Sequence, residues 1–217
     1  MKIINSIAKS FLRVFRKFTF NSEKFWMKRY KIGGNSGAGS YDNLAEFKAH
    51  VINDFVAEHN IKSIIEFGCG DGNQLSYAKY ENYLGFDISP IAIKLCKDKY
   101  KNDHTKKFKL LQEFNNEIAQ LTLSLDVIYH LVEFKTYEEH LQVLFNSSTE
   151  YVIVYSSNKD EQNVNQAVHI KHRKFSDYCE KHFNDWILLK KIPNIFPKDN
   201  FGDTGTSFSD FYIYKKT

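Results

Sequence analysis

The chain has 217 residues and a formal net charge of +4 at pH 7, a length that suits one α/β domain with an N-terminal extension. Five of its 30 basic side chains and none of its 26 acidic ones fall within the first twenty residues, so the remainder is nearly neutral and matches the phosphate backbone of a nucleic acid poorly. The three cysteines are odd in number and scattered, which favours reduced thiols in a cytoplasmic protein over disulfides or a zinc site.

The first twenty residues predict a basic amphipathic helix, because apolar side chains recur at helical spacing with cations between them. No continuous apolar run is long enough to cross a membrane, and no small-residue cleavage site follows one. Two uses stay open: contact with an anionic membrane at the cytoplasmic face, or packing on the chain's own domain or a second subunit. The apolar positions are Ile3, Ile7, Phe11, Val14, Phe15 and Phe18.

A glycine- and serine-rich run, Gly33 to Ser40, precedes an amphipathic helix predicted over Asp42 to His59. Glycine and serine this dense do not pack a core, so the run is either a loop that a ligand orders, such as a lid, or a flexible linker. We therefore divide the chain into residues 1–41, the N-terminal helix and lid segment, and residues 42–217, the main domain. The side chains expected to contact a substrate here are Tyr30, Asn35, Ser36, Ser40 and Tyr41.

The most informative stretch is an apolar run that ends in Glu66 and is followed by glycines at positions 68, 70 and 72. It predicts a strand, a tight turn with uncovered amide groups, and the start of a helix from Asn73. A second apolar run ends in Asp87, 21 residues after Glu66, where an adjacent parallel strand places a carboxylate for ribose hydroxyls. The predicted ligand therefore carries a ribose.

Two cofactor classes contain such a ribose. Dinucleotide sites use a Gly-x-Gly-x-x-Gly turn to meet a pyrophosphate, whereas the glycines here alternate and Asp71 lies inside the turn. A carboxylate would repel a pyrophosphate but is compatible with the ammonium and sulfonium groups of S-adenosylmethionine. The pattern favours the sulfonium cofactor over a dinucleotide oxidoreductase.

The acid-x-Gly-x-Gly-x-Gly motif and the acid of the second strand resemble the class I S-adenosylmethionine-dependent methyltransferases. The resemblance implies a three-layer α/β sandwich: a Rossmann-like, mostly parallel seven-stranded sheet with a C-terminal antiparallel strand pair. It places the glycine turn beside the methionine moiety, Asp87 on the ribose, and Gln112 or Glu113 on the adenine amine. No metal is expected. The implied cofactor-binding residues are Glu66, Gly68, Cys69, Gly70, Asp71, Gly72, Asp87, Ile88, Gln112, Glu113 and Tyr129.

The run from Leu125 to Glu133 predicts the fourth strand and its exit. In the strand order of the resembled fold, the first and fourth strands flank the point where ligands bind. Tyr129, His130 and Glu133 are therefore expected to face the transferred methyl group, with His130 as the first candidate for a general base.

The remaining elements follow the same alternation of strands and helices. A helix is predicted from Ser89-Pro90 to Lys99, a third strand over Phe108 to Phe114, a fifth strand over Tyr151 to Tyr155 and a helix over Ser176 to Phe183. Two final strands are expected at Trp186 to Leu189 and Phe208 to Tyr214.

A polar segment before the helix at Ser176 offers further groups for an acceptor. His169 and His172 are the next candidate bases, Arg173 is expected to neutralise a phosphate or carboxylate, and Asn158 emerges after the fifth strand. A solvated basic surface is the alternative for this segment, and two histidines without a cysteine or carboxylate pair are weak evidence for a metal.

Two runs, Arg29-Tyr30 with the following glycine-serine segment and Asp126 to Glu133, resemble small methyltransferases encoded with bacterial surface-polysaccharide genes. This resemblance implies O-methylation of a sugar hydroxyl or an activated precursor such as a phosphoramidate, in capsule or surface-polysaccharide biosynthesis. Methylation of an unrelated small metabolite stays open, as does a non-catalytic module that binds S-adenosylmethionine and docks on a partner.

Overall fold

The computed structural model describes residues 20–163, 166–197 and 205–217. Except for Phe20, the predicted basic helix of residues 1–20 lies outside the described residues. Seven strands form one sheet in the order β3-β2-β1-β4-β5-β7-β6. They are β1 (Ile64–Phe67), β2 (Tyr83–Asp87), β3 (Lys106–Leu110), β4 (Ala119–Leu125), β5 (Ser148–Ser156), β6 (Trp186–Ile192) and β7 (Asp210–Lys216).

Strands β1 to β5 are parallel, and β7 runs antiparallel to both β5 and β6. The strand order reverses between β1 and β4, which is where ligands bind in open α/β sheets. This arrangement confirms the predicted fold class, including the C-terminal antiparallel pair. The helices are α1 (Ser22–Lys31), α2 (Asp42–Glu58), α3 (Pro90–Lys99), α4 (Phe134–Asn146) and α5 (Phe175–His182).

Helices cover both faces of the sheet because alternate strand residues point to opposite sides. Ile64 belongs to the core that includes Ile52 of α2 and Cys96 of α3, whereas Ile65 belongs to the core that includes Leu141 of α4 and Cys179 of α5. No helix within the described ranges is long and apolar enough to cross a membrane.

Helix α1 was not predicted. Asn21 caps it, since its side chain accepts a hydrogen bond from the Lys24 amide at 2.7 Å. The Glu133 carboxylate accepts a second bond from the Ser22 amide at 2.8 Å, which fixes the start of α1 against the exit of β4. Glu133 is thereby occupied as a structural anchor for α1.

Three predicted boundaries were wrong around the glycine turn. The helix expected from Asn73 is a single 3₁₀ turn, Gln74–Tyr77, because few residues remain before β2 begins at Tyr83. Strand β3 ends at Leu110, where the Glu113 carboxylate accepts from the Leu110 amide at 2.7 Å and starts another 3₁₀ turn. Strand β4 ends at Leu125, since Asp126 takes a positive φ of 59° and leaves the extended conformation.

The connection between β3 and β4 also contains no α-helix. The Phe114 ring from this connection packs on Phe67 at 5.6 Å and on Phe86 at 5.5 Å, measured between ring centroids. One aromatic side chain thus covers part of the sheet face over β1 and β2. The neighbouring space, beside α4, opens into the cavity described below.

Candidate active site

The glycine turn after β1 needs glycine for both conformation and space. Gly68 and Gly70 have φ values of 90° and 59°, which side chains rarely adopt. A Cβ atom at Gly68 would lie 2.5 Å from the side chain of Val127, and one at Gly70 would lie 2.2 Å from Ser36 Oγ. The turn is therefore enclosed between the exit of β4 and the segment before α2.

Asp87 joins the end of β2 to this turn. Its Oδ2 atom accepts a hydrogen bond from the Gly70 amide at 3.0 Å, and its Oδ1 atom accepts one from the Ser89 amide at 2.8 Å. Burial raises the pKa of Asp87 to about 6, although these amides oppose the rise. Each oxygen keeps a further lone pair, so the ionised carboxylate has the acceptors that a ribose diol requires.

Glu66 lies at the end of β1 and is buried. Burial raises its pKa to about 7, and a hydrogen bond from the Tyr83 hydroxyl at 2.6 Å acts in the opposite direction. Because β1 pairs with β2, Glu66 and Asp87 lie on neighbouring strands.

The glycine- and serine-rich segment is closed over the turn. Asp71 Oδ2 accepts from the Ser36 amide at 2.9 Å and from the Tyr41 hydroxyl at 2.7 Å, while the Asp71 amide donates to Ser36 Oγ at 2.9 Å. The Tyr30 hydroxyl lies 2.9 Å from the same Ser36 oxygen. Burial acts to raise the pKa of Asp71, but these donors prevail and lower it. These hydrogen bonds hold residues 33–40, the lid segment, against the turn, and its role as a lid stays a prediction.

A cavity of about 450 Å³ lies between the turn, the lid, α1, the exit of β4 and α4. Its wall contains ten residues that the sequence predicted for a site: Tyr30, Ser36, Ser40, Glu66, Gly68, Cys69, Gly70, Asp87, Ile88 and His130.

His130 is held in the cavity wall as a neutral ring. Its Nδ1 atom lies 3.0 Å from the backbone oxygen of His169. A carbonyl oxygen only accepts hydrogen bonds, so Nδ1 carries the proton and Nε2 keeps its lone pair. Burial lowers the pKa of His130 to about 4, so the ring is uncharged at neutral pH. The ring packs against Trp26 at 4.8 Å and stacks on His169 at 5.3 Å.

Residues 65–146, which contain the turn, Asp87 and His130, match the family model described as a methyltransferase domain. Over these residues the chain is similar to that methyltransferase family. No curated protein matches its sequence. The glycine turn, the Asp87 acceptors and a buried Gln74 Oε1 without a hydrogen-bond partner among the described residues fit a ligand with ribose hydroxyls and an ammonium group, such as S-adenosylmethionine.

Several solved structures share the fold of this chain. The magnesium protoporphyrin IX methyltransferase of Synechocystis PCC 6803, solved with bound S-adenosylmethionine, has 14% identity and a TM-score of 0.64 over 91% of this chain and 98% of that one. The N-methyltransferase NodS of Bradyrhizobium japonicum WM9, in complex with S-adenosylhomocysteine, has 12% identity and a TM-score of 0.65 over 91% and 99%. The methyltransferase domain of bacterial CtHen1 has 20% identity and a TM-score of 0.62 over 80% and 99%.

Several residues predicted for the acceptor are engaged elsewhere in the structure. Arg173 donates to the carbonyls of Leu131 at 2.8 Å and Val132 at 2.7 Å, so it supports the β4 exit instead of facing the cavity. His172 Nδ1 lies 2.6 Å from Ser157 Oγ. Asn158 Nδ2 donates a hydrogen bond to Ser176 Oγ at 2.8 Å. His169 contacts Phe25 and His130 and does not line the cavity.

The remaining predicted residues also lie outside the cavity wall. Tyr129 donates to Asp126 Oδ1 at 3.0 Å, Tyr41 is bound to Asp71, and Glu113 caps the turn after β3. Tyr129 and Glu113 are satisfied within their own loops and Tyr41 by the glycine turn, which the sequence pattern does not reveal. The predicted residues that do not line the cavity are Asn35, Tyr41, Asp71, Gly72, Gln112, Glu113, Tyr129, Glu133, Asn158, His169, His172 and Arg173.

Other lining residues were not predicted. Lys48 was not predicted because it lies within the apolar stripe of α2. A lysine in such a stripe nevertheless indicates a buried, paired charge. Asp126 directly follows β4 and lies inside the run from Leu125 that was predicted as the fourth strand. The further unpredicted lining residues include Ser22, Glu23, Trp26, Gln74, Leu111, Phe114, Thr136, Glu139 and His140. Within the described ranges, no group of three histidines, cysteines or acids is placed to hold a metal ion.

We expect the affinity for S-adenosylhomocysteine to fall as the pH drops through about 6, the pKa of Asp87. The ionised carboxylate accepts from hydroxyl donors, and protonation removes that capacity, so binding is strongest above pH 6 and weakens below it. Calorimetric titrations at pH 7.5 and pH 5 should differ by roughly tenfold. In Asp87→Asn the affinity should no longer depend on pH in this range. An affinity independent of pH in the unaltered protein would show that Asp87 does not bind the ligand.

We expect Asp71→Asn to loosen the lid, because an amide offers one acceptor oxygen where the carboxylate offers two. Limited proteolysis should cut the segment 33–40 faster, and the dissociation constant for S-adenosylhomocysteine should rise roughly three- to tenfold. The exposed substitution Asp98→Asn serves as the matched control. Unchanged cleavage and affinity in Asp71→Asn would show that these hydrogen bonds do not hold the lid.

Proposed function

We propose that the protein transfers the methyl group of S-adenosylmethionine to a hydroxyl oxygen of a small acceptor, with a saccharide or a saccharide-linked precursor as the acceptor class. The observation that carries this proposal is His130: a neutral imidazole whose Nδ1 proton is fixed lies in the same cavity wall as Glu66, Asp87 and the glycine turn.

The cofactor supplies an activated methyl group bonded to a sulfonium. Asp87 would hold the ribose, the glycine turn would lie against the methionine end, and the lid would exclude water. His130 Nε2 would accept a hydrogen bond from the acceptor hydroxyl and take its proton as the oxygen gains the methyl group. Most of the acceleration would come from holding the acceptor at near-attack distance in a dry cavity.

The charges in the cavity wall favour a neutral acceptor. Among the described lining residues, Lys48 is the only lysine or arginine, and its ammonium is paired with Asp126 at 2.8 Å. Arg173, expected to neutralise an anion, is bound to backbone carbonyls. The described cavity wall thus offers an anionic acceptor no lysine or arginine besides this paired Lys48, which weakens the case for a phosphoramidate.

An amine acceptor is the second candidate. Glu23 and Glu139 lie in the wall, and carboxylates near the opening attract a protonated amine. NodS, which shares the fold, is an N-methyltransferase. The atom that carries the new methyl group in the product distinguishes the two candidates.

The resemblance to the surface-polysaccharide group supports a role in bacterial capsule or surface-polysaccharide biosynthesis. The basic segment of residues 1–20 would suit a cytoplasmic enzyme at the inner face of the membrane or one that docks on a protein partner. A non-catalytic module that binds the cofactor is the remaining alternative, and only turnover separates it from an enzyme.

The test is a turnover assay with a panel of acceptors and cofactor labelled with ¹³C in its methyl group. The panel contains neutral sugars, amino sugars and nucleotide sugars. Phosphorylated forms of the neutral sugars serve as the matched anionic compounds. The proposal predicts release of S-adenosylhomocysteine with a neutral sugar and an NMR correlation from the new methyl group across an ether oxygen. Methylation only of nitrogen would select the second candidate, and tight cofactor binding without turnover on any acceptor would favour the non-catalytic module.

A further inference from the structure

We propose that the buried ion pair of Lys48 and Asp126, together with Gln74, receives the zwitterionic amino-acid end of S-adenosylmethionine. The inference rests on the cofactor assignment and deepens it by naming the groups that recognise the ammonium and the carboxylate of that end. None of the three residues belongs to the glycine motif.

Lys48 is a buried cation in the cavity wall. It lies on α2 with its side chain fully buried, and its Nζ atom is 2.8 Å from Asp126 Oδ2. The Tyr155 ring lies 5.3 Å from the same ammonium. An ammonium has three donors, and one carboxylate oxygen satisfies only one of them. Burial of a charge is costly, so a further anionic partner in the cavity would stabilise Lys48.

Asp126 places this pair beside the glycine turn. It follows β4 directly, and its φ of 59° is a conformation that residues other than glycine seldom adopt. The Tyr129 hydroxyl at 3.0 Å and Ser209 Oγ at 3.2 Å hold its other oxygen. Such strain persists where the surroundings enforce it, commonly at ligand sites. The next residue, Val127, fills the space over Gly68.

Gln74 supplies an acceptor that nothing satisfies. Its Nε2 atom donates to the Ala45 carbonyl at 2.9 Å, which identifies the other atom as the oxygen. That Oε1 atom is buried and has no hydrogen-bond partner among the described residues, although the side chain lines the cavity. A buried acceptor without a donor is destabilising, so a donor on the ligand would compensate it.

The charges of these groups complement an α-amino acid. The ammonium of such an end requires acceptors, which Gln74 Oε1 and the Asp126 carboxylate provide. Its carboxylate requires a cation, and among the described lining residues Lys48 is the only lysine or arginine. Glu66 and Asp87 already accept from Tyr83 and from the amides of Gly70 and Ser89. An ion pair that only fastened α2 to the sheet would not explain the free acceptor beside it.

The test compares two ligands by calorimetry: S-adenosylhomocysteine, which has the amino-acid end, and 5′-methylthioadenosine, which lacks it. In Lys48→Met, the affinity for S-adenosylhomocysteine should fall roughly 10- to 100-fold while that for 5′-methylthioadenosine changes less than about twofold. Lys48→Met leaves Asp126 as an unpaired buried charge. The double variant Lys48→Met/Asp126→Asn removes both charges and should show the same selective loss.

Three results would overturn the inference. Unchanged affinity for S-adenosylhomocysteine in both variants would make the pair purely structural. Equal loss for both ligands would show a general disturbance of the pocket and no recognition of the amino-acid end. A larger loss for 5′-methylthioadenosine than for S-adenosylhomocysteine would show that the pair does not recognise the amino-acid end. If the unaltered protein bound neither ligand, the cofactor assignment itself would fail, so the two failures are distinguishable.

Discussion

Asp87→Asn should lower the affinity for S-adenosylhomocysteine roughly 10- to 100-fold, the effect expected for loss of charge-assisted hydrogen bonds. Both carboxylate oxygens already accept from backbone amides, Oδ2 from Gly70 and Oδ1 from Ser89. The asparagine side chain has one oxygen, so its NH₂ group must oppose one of these N–H donors. The substitution therefore removes an acceptor for the ribose and also disturbs the glycine turn. Isothermal titration calorimetry measures the change.

The control for Asp87 is a carboxylate that is exposed and distant from the turn. Asp54→Asn on α2 meets this condition, since its side chain is 69% exposed. It should leave the affinity unchanged. An affinity in Asp87→Asn equal to that of the unaltered protein would contradict the placement of the ribose at the end of β2.

His130→Ala should lower kcat/KM for the acceptor roughly 10²- to 10⁴-fold, the range for loss of a general base. The affinity for S-adenosylhomocysteine should change less than about twofold, because the hydrogen bonds of Asp87 and the glycine turn do not involve the His130 ring. Initial rates with the acceptor found by turnover, together with calorimetry, separate the two effects.

His169→Ala is the matched control for His130. The contact between the two residues uses the backbone oxygen of His169, which alanine keeps, so Nδ1 of His130 retains its acceptor. This variant loses only the ring that stacks on His130 and Phe25, and its turnover should stay within about tenfold of the unaltered protein. Equal losses of turnover and cofactor affinity in His130→Ala would assign His130 to the cofactor pocket, and unchanged turnover would exclude it from the chemistry.

The fold and the cofactor half of the site were accessible from the sequence because their signals are local. Alternating glycines after an apolar run require positive φ values whatever the rest of the chain does, and Asp87 ends the next apolar run. The parallel pairing of β1 with β2 then brings Glu66 opposite Gly85, two residues before Asp87. One motif and one strand-end acid thus determine where the turn lies and where the carboxylate proposed for the ribose lies.

The acceptor half was less accessible because polar side chains at strand ends have several partners within reach. Arg173 was predicted to bind an anion, but its guanidinium donates to the backbone carbonyls of Leu131 and Val132. Lys48 had the opposite problem: its partner Asp126 is 78 residues away, and no periodicity connects them. Such contacts arise from the packing of α2 against the exit of β4.

The connections were mispredicted for a related reason. The sequence from Asn73 onward contains helix-compatible residues, but β2 begins at Tyr83 and leaves space for only one 3₁₀ turn. Chain length between parallel strands, a global constraint, thus prevails over local propensity.

The most direct test of the central claim is calorimetric titration of the purified chain with S-adenosylmethionine, S-adenosylhomocysteine and NADH. The structure and the proposed function predict micromolar binding of both sulfur ligands, no binding of NADH, and loss of the sulfur ligands in Asp87→Asn. Binding of NADH without either sulfur ligand would contradict the assignment and make the glycine turn a dinucleotide site.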